Sequence, residues 1–294
     1  APVTVINMQE YGRAAYKSLI SKPLQTAIKE TLDNKQQVIL LINRRGFSTY
    51  TQCQGCGHVI ECPNCAIPMI WHAKDNMLKC HYCNHVEYFP DSCPNCGFDG
   101  LKNSGTGTQK IEQYIKDLYQ GYNVERIDSD VLTRKGEHIR LLERFQRGDI
   151  DILVGTQIVA KGHDFKKVSL VVVLNTDPQL LSFDYRARER LFSVLMQVAG
   201  RAGRSGEQGE VLIQTKYPKD SLFRYLKDND FEGFAQEELK ARKTASMTPY
   251  SAQALMISEG KDIREVLDFL SQVKKIGLSV QTRSVRFYDP VPQT

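Results

Sequence analysis

Outside residues 53–96 the sequence has no cysteine. Disulfide frameworks spread their cysteines to close loops across a fold, so this absence excludes a stapled secreted scaffold. No apolar run approaches the ~20 residues of a membrane-spanning helix, and no membrane partner is expected. The opening residues, Ala1-Pro2-Val3-Thr4-Val5-Ile6, lack an initiator Met and the basic-then-apolar layout of a leader. Together with an ending at Asp289-Pro290-Val291-Pro292-Gln293-Thr294 behind no capped helix or finished hairpin, this suggests the middle piece of a longer protein. No stretch reads Gly-x-x-x-x-Gly-Lys-Ser/Thr or Asp-Glu-x-His, so the chain has no phosphate cradle and no magnesium box of its own. Neither sign of charge dominates: a formal charge of +5 and a pI near 8.7 suit a nucleic-acid partner without requiring one.

What is present begins with eight cysteines in four Cys-x-x-Cys pairs, all between Cys53 and Cys96. Crowding into paired knuckles is metal spacing in a reducing compartment, and the cytoplasm is the expected home. A Cys-x-x-Cys turn puts two thiolates on one side of a tetrahedral zinc, so four knuckles make two closed sites. Pairing the first two knuckles is disfavoured because only five residues separate Cys56 from Cys62. Nesting fits better: Cys62, Cys65, Cys80 and Cys83 close around a hairpin of Ile67 to Trp71 and Met77 to Lys79, and Cys53, Cys56, Cys93 and Cys96 close the outer site. An iron–sulfur cluster is the rival reading. His58, His72, His81 and His85 are read as surface or packing residues, and Trp71, Tyr82, Tyr88 and Phe89 as ribbon packing. Closed four-sulfur sites leave no position for water, so the two Zn2+ ions are structural.

The rest alternates. Gln37 to Ile42 is a near-continuous apolar run, as expected of a parallel strand covered on both faces. Further strands read at Asn123 to Ile127, Asp151 to Val154, Leu170 to Leu174 and Glu210 to Gln214, with helices near Leu24 to Leu32, Glu137 to Gln146 and Arg186 to Val198. This rhythm predicts an α/β fold: a parallel sheet wrapped by helices, with ligands at the carboxyl ends of its strands. Lys219 to Lys243 reads as helical. A strand over Ala252 to Ser258, a helix over Ile263 to Ile276 and a strand-like Leu278 to Tyr288 suggest an incomplete α/β domain. Asp184 to Arg190, with three arginines, reads as an exposed helix start. Gly105-Thr106-Gly107-Thr108 lacks the ending of a P-loop and reads as ordinary capping, with Gln109 at capping-box distance from Thr106.

Two stretches hold chemistry. Gly155-Thr156-Gln157-Ile158-Val159-Ala160-Lys161-Gly162-His163-Asp164-Phe165 follows a buried strand, and Gln197-Val198-Ala199-Gly200-Arg201-Ala202-Gly203-Arg204 ends a helix. Two arginines three apart share a helical face, where their planar forks can stabilise a transferring phosphoryl group. These segments resemble motifs V and VI of superfamily 2 helicases. With the Asn43-Arg44-Arg45-Gly46 strand end and the four-knuckle insertion, the resemblance narrows to the bacterial replication-restart helicases.

The resemblance implies a RecA-like helicase lobe with an inserted double zinc-ribbon-like module and a truncated C-terminal α/β domain. It implies an ATP-dependent 3′ to 5′ DNA helicase that remodels stalled forks and starts primosome assembly. Carried over by residue, Arg201 and Arg204 act on the ATP phosphates, Gln197 couples nucleotide to motion, Gly162 and Asp164 approach the nucleotide, and Thr156 holds a DNA phosphate. Arg44 and Arg45 end a strand where DNA could pass. The resemblance also supports the nested zinc pairing. ATP and Mg2+ are expected in the intact enzyme, with branched or single-stranded DNA, primosome proteins and single-strand-binding protein as partners. The expected division is first part of the lobe 1–50, zinc insertion 51–100, second part of the lobe 101–218, helical linker and truncated domain 219–294. Without its missing first lobe the chain is expected to be inactive. The alternative is a zinc-ribbon nucleic-acid-binding or assembly module without motor activity.

Overall fold

Six parallel strands form the central sheet, in the order β1 (Val3–Asn7), β11 (Glu210–Thr215), β10 (Val168–Leu174), β2 (Gln37–Ile42), β9 (Ile152–Gly155) and β8 (Val124–Ile127). The computed structural model describes all residues except 12–18, 44–49, 65–67, 73–74, 81–84, 105–107, 128–135, 157–164, 183, 201–208, 261, 281–284 and 291–294. Every pairing in this sheet is parallel, and β2 is buried along its whole length. Such strands need cover on both faces, and alternate side chains supply it. Ile39, Leu41, Val171, Val173, Val211 and Ile213 meet one helical layer, while Val38, Leu40, Ile42, Leu170, Val172 and Leu212 meet the other.

The second layer is α1 (Lys22–Asp33) and α2 (Thr108–Leu118). Helix α1 has Pro23 in its first turn, where a missing N–H costs nothing, and buries Leu24, Ile28 and Leu32 at four-residue spacing. The first layer contains α3 (Glu137–Arg147) and α5 (Ala187–Ala199), which presents Leu191, Phe192, Leu195 and Val198 to the sheet. A short helix α4 (Asp177–Leu180) leads into α5. Strand β11 is followed by α6 (Ser221–Lys227) and α7 (Phe231–Thr244), divided where Asn229 takes φ 55°. Leu222, Phe223, Leu226 and Phe234 from these two helices lie in the same core as the sheet, and Phe234 stacks on Phe192 at 4.0 Å.

The cysteine-rich insertion leaves the lobe through an antiparallel pair, β3 (Tyr50–Cys53) with β7 (Leu101–Ser104). Inside it, β4 (Ile70–His72), β5 (Met77–Lys79) and β6 (Val86–Tyr88) make a three-stranded antiparallel sheet. The expected hairpin is therefore present with its first arm shifted toward His72 and a third strand added. Trp71 packs on Phe89 at 4.5 Å between ring centroids, whereas Tyr88 is 83% exposed.

Past Met247 the expectation of strands is corrected. Residues 252–260 have no regular structure, nor do 285–290, and between them stands α8 (Ile263–Ser279). A strand exists only by pairing, and nothing among the described residues pairs with Ala252 to Ser258, which leaves Leu255 86% exposed.

Candidate metal centre and the two edges of the sheet

Two knuckles with the same local geometry face each other at the mouth of the insertion. In the first, Gly57 N–H donates to the Cys53 carbonyl at 3.0 Å and Cys53 N–H to the His58 carbonyl at 2.8 Å. In the second, Gly97 N–H donates to the Cys93 carbonyl at 2.8 Å and Cys93 N–H to the Phe98 carbonyl at 2.9 Å. Both turns close through a glycine at positive φ, 78° at Gly57 and 69° at Gly97, a region that β-carbon sterics disfavour for other residues. The two arms can approach because Phe98 lies over Gly55, where an added Cβ would fall 2.7 Å from the ring.

The four sulfurs lie within 4.8 Å of one another, with Cys53 to Cys96 and Cys56 to Cys93 both at 3.7 Å. Zinc at ~2.3 Å from each thiolate requires tetrahedral edges of about 3.8 Å, so these residues fit the ion. The outer half of the nested pairing thus has the geometry of a closed four-cysteine site. The bare thiols differ in acidity. Burial raises Cys93 to about 12. At Cys56 burial is outweighed by hydrogen bonds from the Asn95 side chain and the His58 backbone, which hold it down at about 7. For the inner set, Cys62 and Cys80 are buried and Cys80 N–H donates to the His85 carbonyl at 2.8 Å, the same five-residue reach as in the outer knuckles. Cys65 and Cys83 lie outside the described residues.

The neighbouring strands β2 and β10 send the chain to opposite faces of the sheet: β2 leads through the insertion to α2 in the second layer, and β10 leads through α4 to α5 in the first. In open parallel sheets the crevice at such a switch point, outside the carboxyl ends, is where ligands bind. Thr156 follows β9 at that edge, and Asn43 follows β2 there, with Arg44 and Arg45 next in sequence but outside the described residues. A buried polar cluster lines the same edge. Asn43 Nδ2 donates to Gln179 Oε1 at 2.6 Å, and Asp177 accepts from Thr215 Oγ1 at 2.5 Å and from Lys216 N–H at 3.2 Å. Burial pushes the Asp177 carboxyl above the usual carboxylate range and lowers the Lys216 ammonium. Lys216 Nζ in turn donates to Gln52 Oε1 on β3, so this cluster also roots the cysteine module in the lobe.

Described neighbours of the other candidates reach the opposite edge. Helix α5 ends at Ala199, whose carbonyl accepts from the Ala1 ammonium at 3.3 Å, beside the amino ends of β1 and β11. Gln197 is exposed on its last turn, and Arg201 and Arg204 follow outside the described residues. The segment 157–164, with Gly162 and Asp164, is also outside them, but Phe165 after it packs on Phe145 at 4.9 Å and the Lys167 carbonyl accepts from Gln37 N–H at 2.8 Å, at the amino ends of β10 and β2. The described neighbours of the candidate residues therefore divide into two groups, separated by the length of the strands, roughly 20 Å for six residues.

Sequence reading missed three residues. Asp177 and Lys216 follow strands in contexts with no motif, and only the placement of charge directly after a buried strand hinted at them. Asp184 to Arg190 is the helix start expected, with Arg186, Glu189 and Arg190 exposed, but Arg188 is an exception: its side chain is 25% exposed, and it is held by Asp220 at 2.6 Å and Glu238 at 2.8 Å.

Two family descriptions match this chain: the helicase conserved C-terminal domain over residues 104–206, and the PriA DNA helicase Cys-rich region domain over residues 62–87. The class defined by fold and site is thus the RecA-like second lobe of a helicase carrying a zinc-ribbon insertion. Curated relatives are more specific. The chain is 39% identical to the replication restart protein PriA of Synechocystis sp. over 99% of its length and 36% of that protein. Against PriA of Haemophilus influenzae it is 40% identical over 93% of its length and 37% of that protein, and against PriA of Bacillus subtilis 40% over 89% and 32%. The chain is thus similar over most of its length to the replication restart proteins PriA, and spans roughly a third of the length of these relatives. Among solved structures, the second helicase domain of Mss116p aligns with 94% of this chain and 75% of that one at 13% identity and a TM-score of 0.36, a likeness too weak to bear on function.

Proposed function

We propose that the chain is the second motor lobe of an ATP-dependent 3′ to 5′ DNA helicase that remodels stalled replication forks and starts primosome assembly. The observation that supports this reading is that the described neighbours of the candidate residues fall at two edges of one sheet, Asn43 and Thr156 at one and Phe165 and Gln197 at the other. A motor needs a nucleotide grip and a DNA grip that are separate yet rigidly joined, and a parallel sheet buried on both faces is such a joint. Thr156 at the carboxyl edge, with Arg44 and Arg45, which follow Asn43 in sequence, holds the DNA backbone, where amide, hydroxyl and guanidinium contacts to phosphate give position without sequence preference. Arg201 and Arg204, which follow α5 in sequence, stabilise charge on the transferring phosphoryl group, Gly162 and Asp164 approach the nucleotide, and Gln197, at the other edge, couples its state to motion.

The lobe cannot act by itself. Arginine forks without a phosphate cradle and Mg2+ have no developing charge to stabilise, and the sequence has no Gly-x-x-x-x-Gly-Lys-Ser/Thr to bring them. ATP and Mg2+ are held against a first lobe elsewhere in the full-length protein, and closure of the two lobes shifts their grips along single-stranded DNA. Two Zn2+ ions, one in Cys53, Cys56, Cys93 and Cys96 and one in Cys62, Cys65, Cys80 and Cys83, hold the inserted module in shape; they supply folding energy and no chemistry. The module is a docking element for branched DNA, primosome proteins or single-strand-binding protein in the cytoplasm.

Arg204→Ala in the full-length protein tests this reading. Removing an arginine finger costs ~10³–10⁵ in turnover, so unwinding is expected to vanish while fork binding by fluorescence anisotropy stays within about threefold. Loss of binding with turnover intact would instead assign Arg204 to DNA. The 294-residue chain alone is expected to hydrolyse no ATP.

A further inference from the structure

Helix α5 runs from the carboxyl edge of the sheet, where α4 delivers it, to the amino edge at Ala199. Its thirteen residues span about 20 Å, the height of the sheet. The last turn carries Gln197 and leads to Arg201. The first turn carries Arg188, and this guanidinium is held on several sides. Its Nε donates to Glu238 Oε1 at 2.8 Å, one Nη to Asp220 Oδ2 at 2.6 Å, and the other Nη lies 3.4 Å from Ser221 Oγ and 3.9 Å from Glu237. Asp220 caps α6 directly after the carboxyl end of β11, accepting from Leu222 N–H. Glu237 and Glu238 belong to α7. A second arginine repeats the clamp in reverse: Arg242 of α7 donates to Glu189 Oε2 at 2.7 Å and to the Tyr185 carbonyl at 3.1 Å. Midway along, Phe192 stacks on Phe234.

From this we infer that Arg188 is a positioning residue that ties the phosphate-facing end of α5 to the DNA-facing edge of the sheet. The inference rests on the reading of Arg201 and Arg204 given above. A helix clamped at its first turn to a strand exit, and stacked at its middle, moves as one body with that exit. A displacement of β11, α6 and α7 is therefore delivered at Ala199–Gly200 and on to the arginines. The planar fork of Arg188 is what permits several acceptors to be held at fixed angles, and an ammonium in its place keeps the charge but loses that geometry. Arg188 touches neither nucleotide nor DNA, and its role is transmission: binding of DNA at one edge is felt as turnover at the other.

The test uses the full-length protein with Arg188→Gln and Arg188→Lys, beside Arg201→Ala. Steady-state ATP hydrolysis is measured with and without single-stranded DNA, at a temperature well below each variant's thermal midpoint. Arg188→Gln is expected to lower the DNA-stimulated kcat about tenfold, within the ~5–150-fold range of coupling between sites, with basal turnover and the KM for ATP within twofold. Arg188→Lys is expected to recover part of the stimulation. Equal losses of basal and stimulated turnover, or stimulation left intact, overturn the inference. If Arg201→Ala is inactive while Arg188→Gln is stimulated normally, the inference alone fails. If Arg201→Ala turns over at the full rate, the functional reading fails and the inference with it.

Discussion

The central sheet and the cysteine module hold themselves together by different means. The sheet buries two complete layers of aliphatic and aromatic side chains, one on each face. The module's own cluster comprises Cys53, Ile60, Cys62, Met69, Leu78, Cys80, Cys93 and Leu101, and half of its members are cysteines. Removing metal from the first region should do nothing, and from the second should remove most of what keeps it folded, because so few apolar side chains cannot offset the ordering of some fifty residues. The lesson is architectural. A sheet covered on both faces has a stiff, metal-independent core, while an insertion rooted by two short strands can take its rigidity from ions and remain small.

The largest expected effect sharpens this contrast. Cys53→Ser together with Cys93→Ser is expected to lower bound zinc from two ions to one by elemental analysis and to unfold the mouth of the module, since a structural zinc contributes ~10–16 kcal/mol of apparent binding energy. Stripping the metal with a chelator should in addition shift the emission of Trp71, the sole tryptophan, to the red, since it sits on Phe89 inside the module, while the far-UV circular dichroism of the lobe persists. The reverse experiment is Phe192→Ala. Truncating this fully buried ring, stacked on Phe234, is expected to cost ~3–5 kcal/mol of lobe stability in urea titration with zinc content unchanged. Parallel loss of zinc would break the separation between the two regions.

Mild acid should weaken zinc binding by the module. Zinc binding requires four thiolates, so apparent affinity falls as pH falls, by up to about tenfold per pH unit for each proton displaced. Because Cys56 has its thiol at about 7 and Cys93 at about 12, Cys93 must release a proton throughout the neutral range and Cys56 only below about 7. A competition titration with a chromogenic chelator should therefore steepen below pH 7. Lys216→Met probes the junction between the regions: loss of the ammonium near Asp177 and of its bond to Gln52 is expected to cost about 1–3 kcal/mol, with zinc retained. Smallest is Tyr88→Ala, expected to change stability by less than about 0.5 kcal/mol because the ring is 83% exposed.

The same contrast explains what the sequence disclosed. Gln37 to Ile42 and Leu170 to Leu174 read as buried parallel strands because continuous apolar runs of that length have few other uses, and the structure has them at the centre of the sheet. Knuckle spacing disclosed Cys53, Cys56, Cys93 and Cys96 because metal geometry is written in short sequence intervals. The strands β3, β6 and β7 were illegible: four or fewer residues each, they owe their existence to partners brought near by the cysteines. Ala252 to Ser258 misled for the opposite reason, since its apolar run Leu255 to Ile257 has no partner strand among the described residues. Asp177, Lys216 and Arg188 depend on contacts 32 or more residues away in sequence, which no local pattern encodes.

Hydrogen exchange with and without chelator measures the difference between the two regions directly. On zinc removal, amides of β3 to β7 should lose protection while those of β2, β9, β10 and β11 keep theirs. Protection lost uniformly across both regions, or retained in β3 to β7 after the metal has gone, would contradict the account.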